Sequence, residues 1–197
     1  MPKSRIARIR RQTKETDISL SVNLDGSGRA RLDLGIPFLE HMLTLLAGHS
    51  LVDLDIRAKG DLKVDQHHLV EDVGLTLGQA LAKAWGDKRG LRRYGWAMIP
   101  MDESLVAVAV DLSGRPFLNF GLKLRQRRLG TFDTELATEF FRALSNQAGL
   151  TLHLAQLAGG NTHHVVEAAF KGLGRALRQA LERDSRQQGV PSTKGRL

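Results

Sequence analysis

A chain of 197 residues, 42% hydrophobic and 25% charged, has the composition of one ordinary globular domain, or of two small halves sharing a core. No apolar run approaches the roughly 18–20 residues that cross a bilayer, and the absence of cysteine excludes disulfides, thiolate zinc sites and a cysteine nucleophile. The net charge of +8 suits an anionic partner, but the basic residues are scattered and only one Tyr and two Trp are present, so no nucleic-acid role is expected.

In chain order, the basic segment from Met1 to Lys14 lacks the apolar run of a secretory signal and enters a strand pattern at once. A cytoplasmic location without membrane contact is expected. Ile18, Leu20, Val22 and Leu24 alternate with polar residues, as in a half-buried strand. Asp25-Gly26-Ser27-Gly28 reads as a turn, with Ala30, Leu32 and Leu34 on a hairpin partner. Pro37 opens a helix to about residue 47, stopped by Gly48. A strand over 51–56 and a long helix over 65–85 follow, ended by Gly86-Asp87 and Gly90.

The second half repeats this order. Strands are expected over 95–100, 104–112 and 117–124, a helix over 134–148 stopped by Gly149, a strand over 150–157 and a last helix over 162–181. Laid over each other, the halves place His41 on Glu139 and Gly48 near Gly149. The spacing therefore predicts an α+β fold of internally duplicated β-β-α-β-α units, with two mixed sheets packed around a layer of helices. The boundaries are a single domain over 1–197, made of repeats at approximately 5–90 and 91–185, with a tail over 186–197.

The duplication also carries chemistry. His67-His68-Leu69-Val70-Glu71 and His163-His164-Val165-Val166-Glu167 each open a long helix. Residues i and i+4 share a helix face, whereas neighbours diverge by about 100°. His67 and Glu71 can thus face one ion, and His163 and Glu167 another, while His68 and His164 point elsewhere. Imidazole and carboxylate without thiolate suit a divalent transition metal such as Mn, Fe, Ni, Co or Zn. Asp72 reads as a group behind the ligands, and its counterpart is Ala168.

These stretches, with Arg11 to Thr16, Pro37 to Leu43, Asp87 to Gly90, Pro100 to Glu103, Asp111 to Pro116 and Val190 to Gly195, closely resemble the imidazoleglycerol-phosphate dehydratase family. The resemblance spans almost the whole chain, in the family's order. It implies a hydro-lyase of L-histidine biosynthesis that converts D-erythro-imidazole-glycerol phosphate to imidazole-acetol phosphate. It also implies two Mn²⁺ per active site and self-association into a 24-subunit particle whose ligands come from adjacent subunits. The ligands carried over are His41, His67, His68 and Glu71 in the first half, and Glu139, His163, His164 and Glu167 in the second. Many relatives have His at the position of Glu139; His153, read as a structural strand residue, is the nearest other imidazole.

The reaction removes a carbon-bound proton that has no neighbouring carbonyl. The implied route makes the substrate imidazole an anion between two Lewis-acidic metals, then passes through a diazafulvene-like intermediate. Glu15 is the expected proton carrier, with Glu71 and Glu167 assisting. Substrate is expected at Glu15, His41, His49 and His67, and its phosphate at Arg93, Arg115, Lys171, Ser192 and Lys194. The tail after Gly189 has little apolar surface, and the resemblance implies that substrate orders it. A metal-dependent hydrolase, or a scaffold whose ions only join subunits, could use the same ligands. Glu15, the arginines and the basic tail favour catalysis on a phosphorylated substrate.

Overall fold

The computed structural model describes residues 5–196. The start of the basic N-terminal segment, residues 1–4, and Leu197, the last residue of the tail, lie outside the described residues.

The first half contains β1 (Ile6–Gln12), β2 (Thr16–Asn23), β3 (Ala30–Asp33), α1 (Pro37–Ser50), β4 (Asp53–Gly60) and α2 (His67–Trp85). The second contains β5 (Tyr94–Met101), β6 (Ser104–Asp111), β7 (Phe117–Gly121), the short β8 (Arg128–Leu129) and β9 (Phe132–Asp133), α3 (Glu135–Ala148), β10 (Thr151–Ala158) and α4 (Thr162–Leu181). The two large sheets have the orders β1-β2-β4-β3 and β5-β6-β10-β7. In each, the fourth strand joins in parallel, β3 on β4 and β7 on β10, while the other pairs are antiparallel. The architecture is α+β and the duplication is written in the topology. Each unit is β-β-β-α-β-α, one strand longer than expected.

Two local expectations change. β3 does not fold back on β2 as a hairpin, because β1 and β4 occupy both edges of β2. The tight Thr13–Glu15 turn brings β1 to one edge first, and the helix α1 carries the chain over to the other. Gly48 does not stop α1, which runs to Ser50 and ends on Leu51 in the left-handed region at φ 59°. A helical glycine costs only about 1 kcal/mol relative to alanine, so it does not end a helix whose apolar face is still being buried.

Strand alternation buries one face of each sheet. Ile18, Leu20 and Val22 of β2, Leu54 and Ile56 of β4, Val106 and Val108 of β6, and Leu152 and Leu154 of β10 are all at most 3% exposed. The helices fill the space between the two sheets. α2 packs on β1 and β2, α4 on β5 and β6, and the halves meet through α1 against α4 and α2 against α3. Within the second half, the phenyl rings of Phe140 and Phe141 on α3 and Phe170 on α4 cluster with centroids 4.7–5.6 Å apart.

Glycine sets how closely those helices approach. A β-carbon on Gly78 of α2 would lie 2.7 Å from the Leu144 carbonyl oxygen of α3. One on Gly174 of α4 would lie 2.9 Å from the Leu46 carbonyl oxygen of α1. Both glycines fall seven residues after the glutamate of their His-His-x-x-Glu motif. Each motif helix is therefore pressed against a helix of the other half at the same depth.

Candidate metal centre

A side-chain oxygen accepts from an amide in the first turn of each motif helix, supplied by the residue before the cap in α2 and by the cap itself in α4. Asp65 Oδ1 accepts from His67 N at 2.7 Å; Asn161 Oδ1 accepts from His163 N at 3.0 Å and His164 N at 3.4 Å. The adjacent rings stand nearly perpendicular, at 87° for His67 and His68 and 83° for His163 and His164. In each half, one imidazole of the pair faces the opposing helix and the other faces a turn between strands.

On the α1–α4 side the ligand types converge. Glu167 Oε2 lies 3.1 Å from His163 Nε2 and 3.4 Å from His41 Nε2, and the ligand atoms of all three residues are within 4.8 Å of one another. Lys171 Nζ lies 2.6 Å from the second oxygen, Glu167 Oε1. Burial works to raise the Glu167 pKa, but the Lys171 ammonium and the two imidazoles outweigh it and hold the carboxyl below its ordinary value. The glutamate is buried, while His41 and His163 keep 49% and 42% of their side chains exposed, so the ring edges open outward.

The α2–α3 side is arranged differently. Glu139 is turned to Arg142, with guanidinium–carboxylate distances of 2.5 and 2.6 Å, and does not meet His67 or Glu71. His67 borders an open cleft with Asp65, Arg128, Asp133 and Glu135. Glu71 is half-buried.

The second imidazole of each pair meets carboxylates, of which only Glu15 is among the residues expected from the sequence. His164 Nδ1 lies 2.8 Å from Glu103 Oε2 in the β5–β6 turn, with Asp102 Oδ2 at 4.0 Å from Nε2. The Ser104 hydroxyl and His164 push Glu103 down to about 2. His68 Nδ1 lies 3.0 Å from Asp61 Oδ2 and 3.8 Å from Glu15 Oε2. The Asp61 hydrogen bond raises the His68 pKa. Glu15 sits in the β1–β2 turn, as Glu103 sits in the β5–β6 turn, so superposing the two hairpins would have flagged Glu103. Engaging Nδ1 leaves Nε2 free to bind an ion.

The remaining expected residues lie apart. Arg93 donates to Asp111 at 2.6 and 3.0 Å, and to the Pro191 carbonyl at 2.8 Å. Arg115 Nη2 is 3.8 Å from Asp111. The Arg93 contact brings the tail, and with it Ser192, to these arginines; Lys194 is exposed. His49 packs near Gly174 of α4, where burial and then Lys171 and Arg175 lower its pKa. Asp72 serves the sheet: it accepts from Arg11 Nε at 2.8 Å and from the Thr16 hydroxyl at 2.5 Å. His153 lies on the outer sheet face against Phe117, away from the cluster.

The fold and sequence have clear relatives. The family model for imidazoleglycerol-phosphate dehydratase matches residues 34–177. A curated relative of that name from Moorella thermoacetica is 59% identical over 98% of this chain and 99% of its own length. Another, from Methylobacterium radiotolerans, is 58% identical over 98% of this chain and 100% of its own. The crystal structure of imidazoleglycerol-phosphate dehydratase from Staphylococcus aureus matches with TM-score 0.83 and 44% identity, covering 91% of this chain and 99% of that one. The Pyrococcus furiosus structure matches with TM-score 0.83 and 41% identity, covering 96% and 100%. With that agreement across nearly all of its length, the chain belongs to the imidazoleglycerol-phosphate dehydratase family and is a hydro-lyase.

Proposed function

We propose that the chain dehydrates D-erythro-imidazole-glycerol phosphate to imidazole-acetol phosphate in histidine biosynthesis, using two divalent cations, Mn²⁺ foremost, per active site. The observation that supports this best is the meeting of His41, from the first half, with His163 and Glu167, from the second. Two imidazoles and a carboxylate, without thiolate, are the donor set of a divalent transition metal. His41, His67, His68 and Glu71 from the first half, and Glu139, His163, His164 and Glu167 from the second, would hold the two cations between them. The outward-facing, half-exposed imidazoles suit ligands completed by a neighbouring chain, in keeping with the 24-subunit particle that the resemblance implies.

When bound, the cations supply Lewis acidity to the substrate imidazole. The rest falls to this chain's own side chains. The departing proton sits on a carbon with no adjacent carbonyl, so a carboxylate must be held against it. Glu15 beside His68 is that group, with Glu71 and Glu167 close to the metal positions. Lys171 keeps Glu167 ionised and therefore able to accept. Arg93 and Arg115, with Ser192 and Lys194 from the tail, would take the phosphate, the arginines held in place by Asp111. The absence, among the described residues, of any helix long and apolar enough to cross a membrane is compatible with the cytoplasmic location proposed here.

Turnover of imidazole-glycerol phosphate by chelator-stripped protein, before and after Mn²⁺ is restored, tests this reading. Activity that returns only with the metal is expected. Full metal occupancy in an intact assembly without turnover would overturn it.

A further inference from the structure

Lys88 is a cation without a partner. It lies in the turn between α2 and β5, only 8% exposed. Its backbone amide donates to the Trp85 carbonyl and its own carbonyl accepts from Leu91 N, yet its ammonium makes no side-chain hydrogen bond or ion pair among the described residues. Burial lowers its pKa, Arg93 and Arg115 lower it further, and only Asp111 acts in the other direction. Asp111 is already engaged: both its oxygens bind Arg93, and Arg115 stands 3.8 Å from one of them. Three cations thus share one carboxylate in a partly enclosed place.

Two of these cations sit on strained backbone. Lys88 and Arg93 have φ of 63° and 73°, in the left-handed region that ordinary side chains seldom adopt. Like charges held close on strained backbone, with one carboxylate among them, disfavour the site until an anion joins them. The tail closes over the same loop. Gly90 N donates to the Gly189 carbonyl at 3.1 Å, and Arg93 holds the Pro191 carbonyl. Ser192 and Lys194 follow directly.

We infer that Lys88 is a further substrate-binding residue, a third cation contributed by the body of the fold to the phosphate subsite, its ammonium held ready for an oxyanion oxygen. The inference rests on the phosphate reading of Arg93 and Arg115 above. It differs from a structural role in the sign of its effects. Removing a structural lysine weakens the fold. Removing a cation crowded by Arg93 and Arg115 relieves the empty protein and weakens the ligand.

The test uses the metal-loaded assembly, with inorganic phosphate as probe. Phosphate should compete with substrate in the wild type and raise its thermal midpoint. In Lys88→Met the phosphate inhibition constant and KM should each rise about tenfold, the scale of one charge-assisted hydrogen bond, and by more than kcat falls. The thermal midpoint without phosphate should hold or rise, and the increment from phosphate should shrink. Lys88→Arg should recover part of the phosphate affinity. A Lys88→Met enzyme with a lowered midpoint and unchanged phosphate inhibition would overturn the inference while leaving the subsite intact. Should Lys88→Met not assemble, Lys88→Gln takes its place: loss of phosphate competition supports the inference, and a merely less stable protein with unchanged competition overturns it. Failure of phosphate to compete even in the wild type would overturn the subsite reading itself.

Discussion

The two halves share a topology, a side-chain oxygen on an amide of the first helical turn, a perpendicular pair of imidazoles and a glycine seven residues on, yet the candidate ligands converge around only one of the two motifs. The difference lies in a few side chains on an identical frame. Where α1 presents His41, α3 presents Glu139; where α1 has Thr44 one turn later, α3 has Arg142. A partly exposed carboxylate takes the nearest cation, and Arg142 captures Glu139. His41 needs no counter-charge and rests on Glu167. Glu167 in turn has Lys171 one turn on, where Glu71 has Leu75. Duplication therefore sets where the candidate ligands stand, and single neighbours set whether they already face one another.

The largest effects come from removing the central carboxylates. Glu167→Gln should lose one of the two metals and more than about 100-fold in turnover, since loss of an outer-shell partner alone typically costs about 10–100-fold. If the halves are functionally equivalent, Glu71→Gln should match it, although Glu71 is not clustered in the free chain. Metal content per chain and turnover decide this together. A Glu71→Gln protein with full metal and full turnover would reduce the first-half motif to a structural remnant.

Next in size are the carboxylates behind the second imidazoles. Glu103→Gln and Asp61→Asn each remove the partner of a histidine Nδ1. Each should weaken Mn²⁺ binding about 10–100-fold with the fold unchanged. Competition with a fluorescent chelator would show whether the two positions are of equal worth, as their matched places in the repeats predict. A change in only one of them would break the equivalence.

Local periodicity made much of this legible. Helix α4 occupies the span expected from its pattern, α3 ends on a left-handed Gly149, and the i,i+4 pair His163 and Glu167 shares a face. Pairings between distant segments were not legible. The position of β3 depends on which edge of the sheet β1 leaves open, and Glu103 reaches His164 across 61 residues, a pairing that only the repeat, through Glu15, points to. Asp72 shows the limit of spacing arguments. Adjacent to a ligand, it faces the sheet because Arg11 and Thr16 there complete its hydrogen bonds. Arg142 could have been foreseen, since an i,i+3 ion pair is a sequence-level signal.

A smaller effect follows from that ion pair. Arg142→Ala frees Glu139 to turn toward His67 and Glu71. Partly exposed ion pairs are worth about 0.2–1 kcal/mol, so metal affinity at the first-half position should rise only about two- to fivefold. The second-half position should not change. Glu139→His should also retain turnover, because an imidazole needs no cation there. Isothermal titration of the chelator-stripped protein checks both variants, and an equal change at both positions would contradict separate tuning of the halves.

The mildest contrast lies far from the metals, where the two halves pin equivalent loops by different chemistry. At the start of β4, Asp53 Oδ1 accepts from Ser27 N at 2.8 Å and Arg29 N at 2.9 Å. At the start of β10, the Thr151 hydroxyl binds Ser113 Oγ and the Arg115 carbonyl, both at 3.0 Å. Burial opposes ionisation of Asp53, but the two amides and the Arg29 guanidinium bring its pKa down from 3.8 to about 2. A carboxyl with a depressed folded pKa stabilises fully above the unfolded value and loses that contribution as pH falls through the folded one. Asp53→Asn should thus lower stability by about 1–2 kcal/mol at neutral pH, and its deficit should vanish as pH falls from about 4 to about 2. Thr151→Val should cost about 1 kcal/mol with no such acid dependence, because a hydroxyl does not titrate there. Thermal midpoints of both variants across that range test the pair. An Asp53→Asn deficit that persists undiminished in acid would mean that the loop is held by shape, and that the carboxylate charge contributes nothing the threonine half lacks.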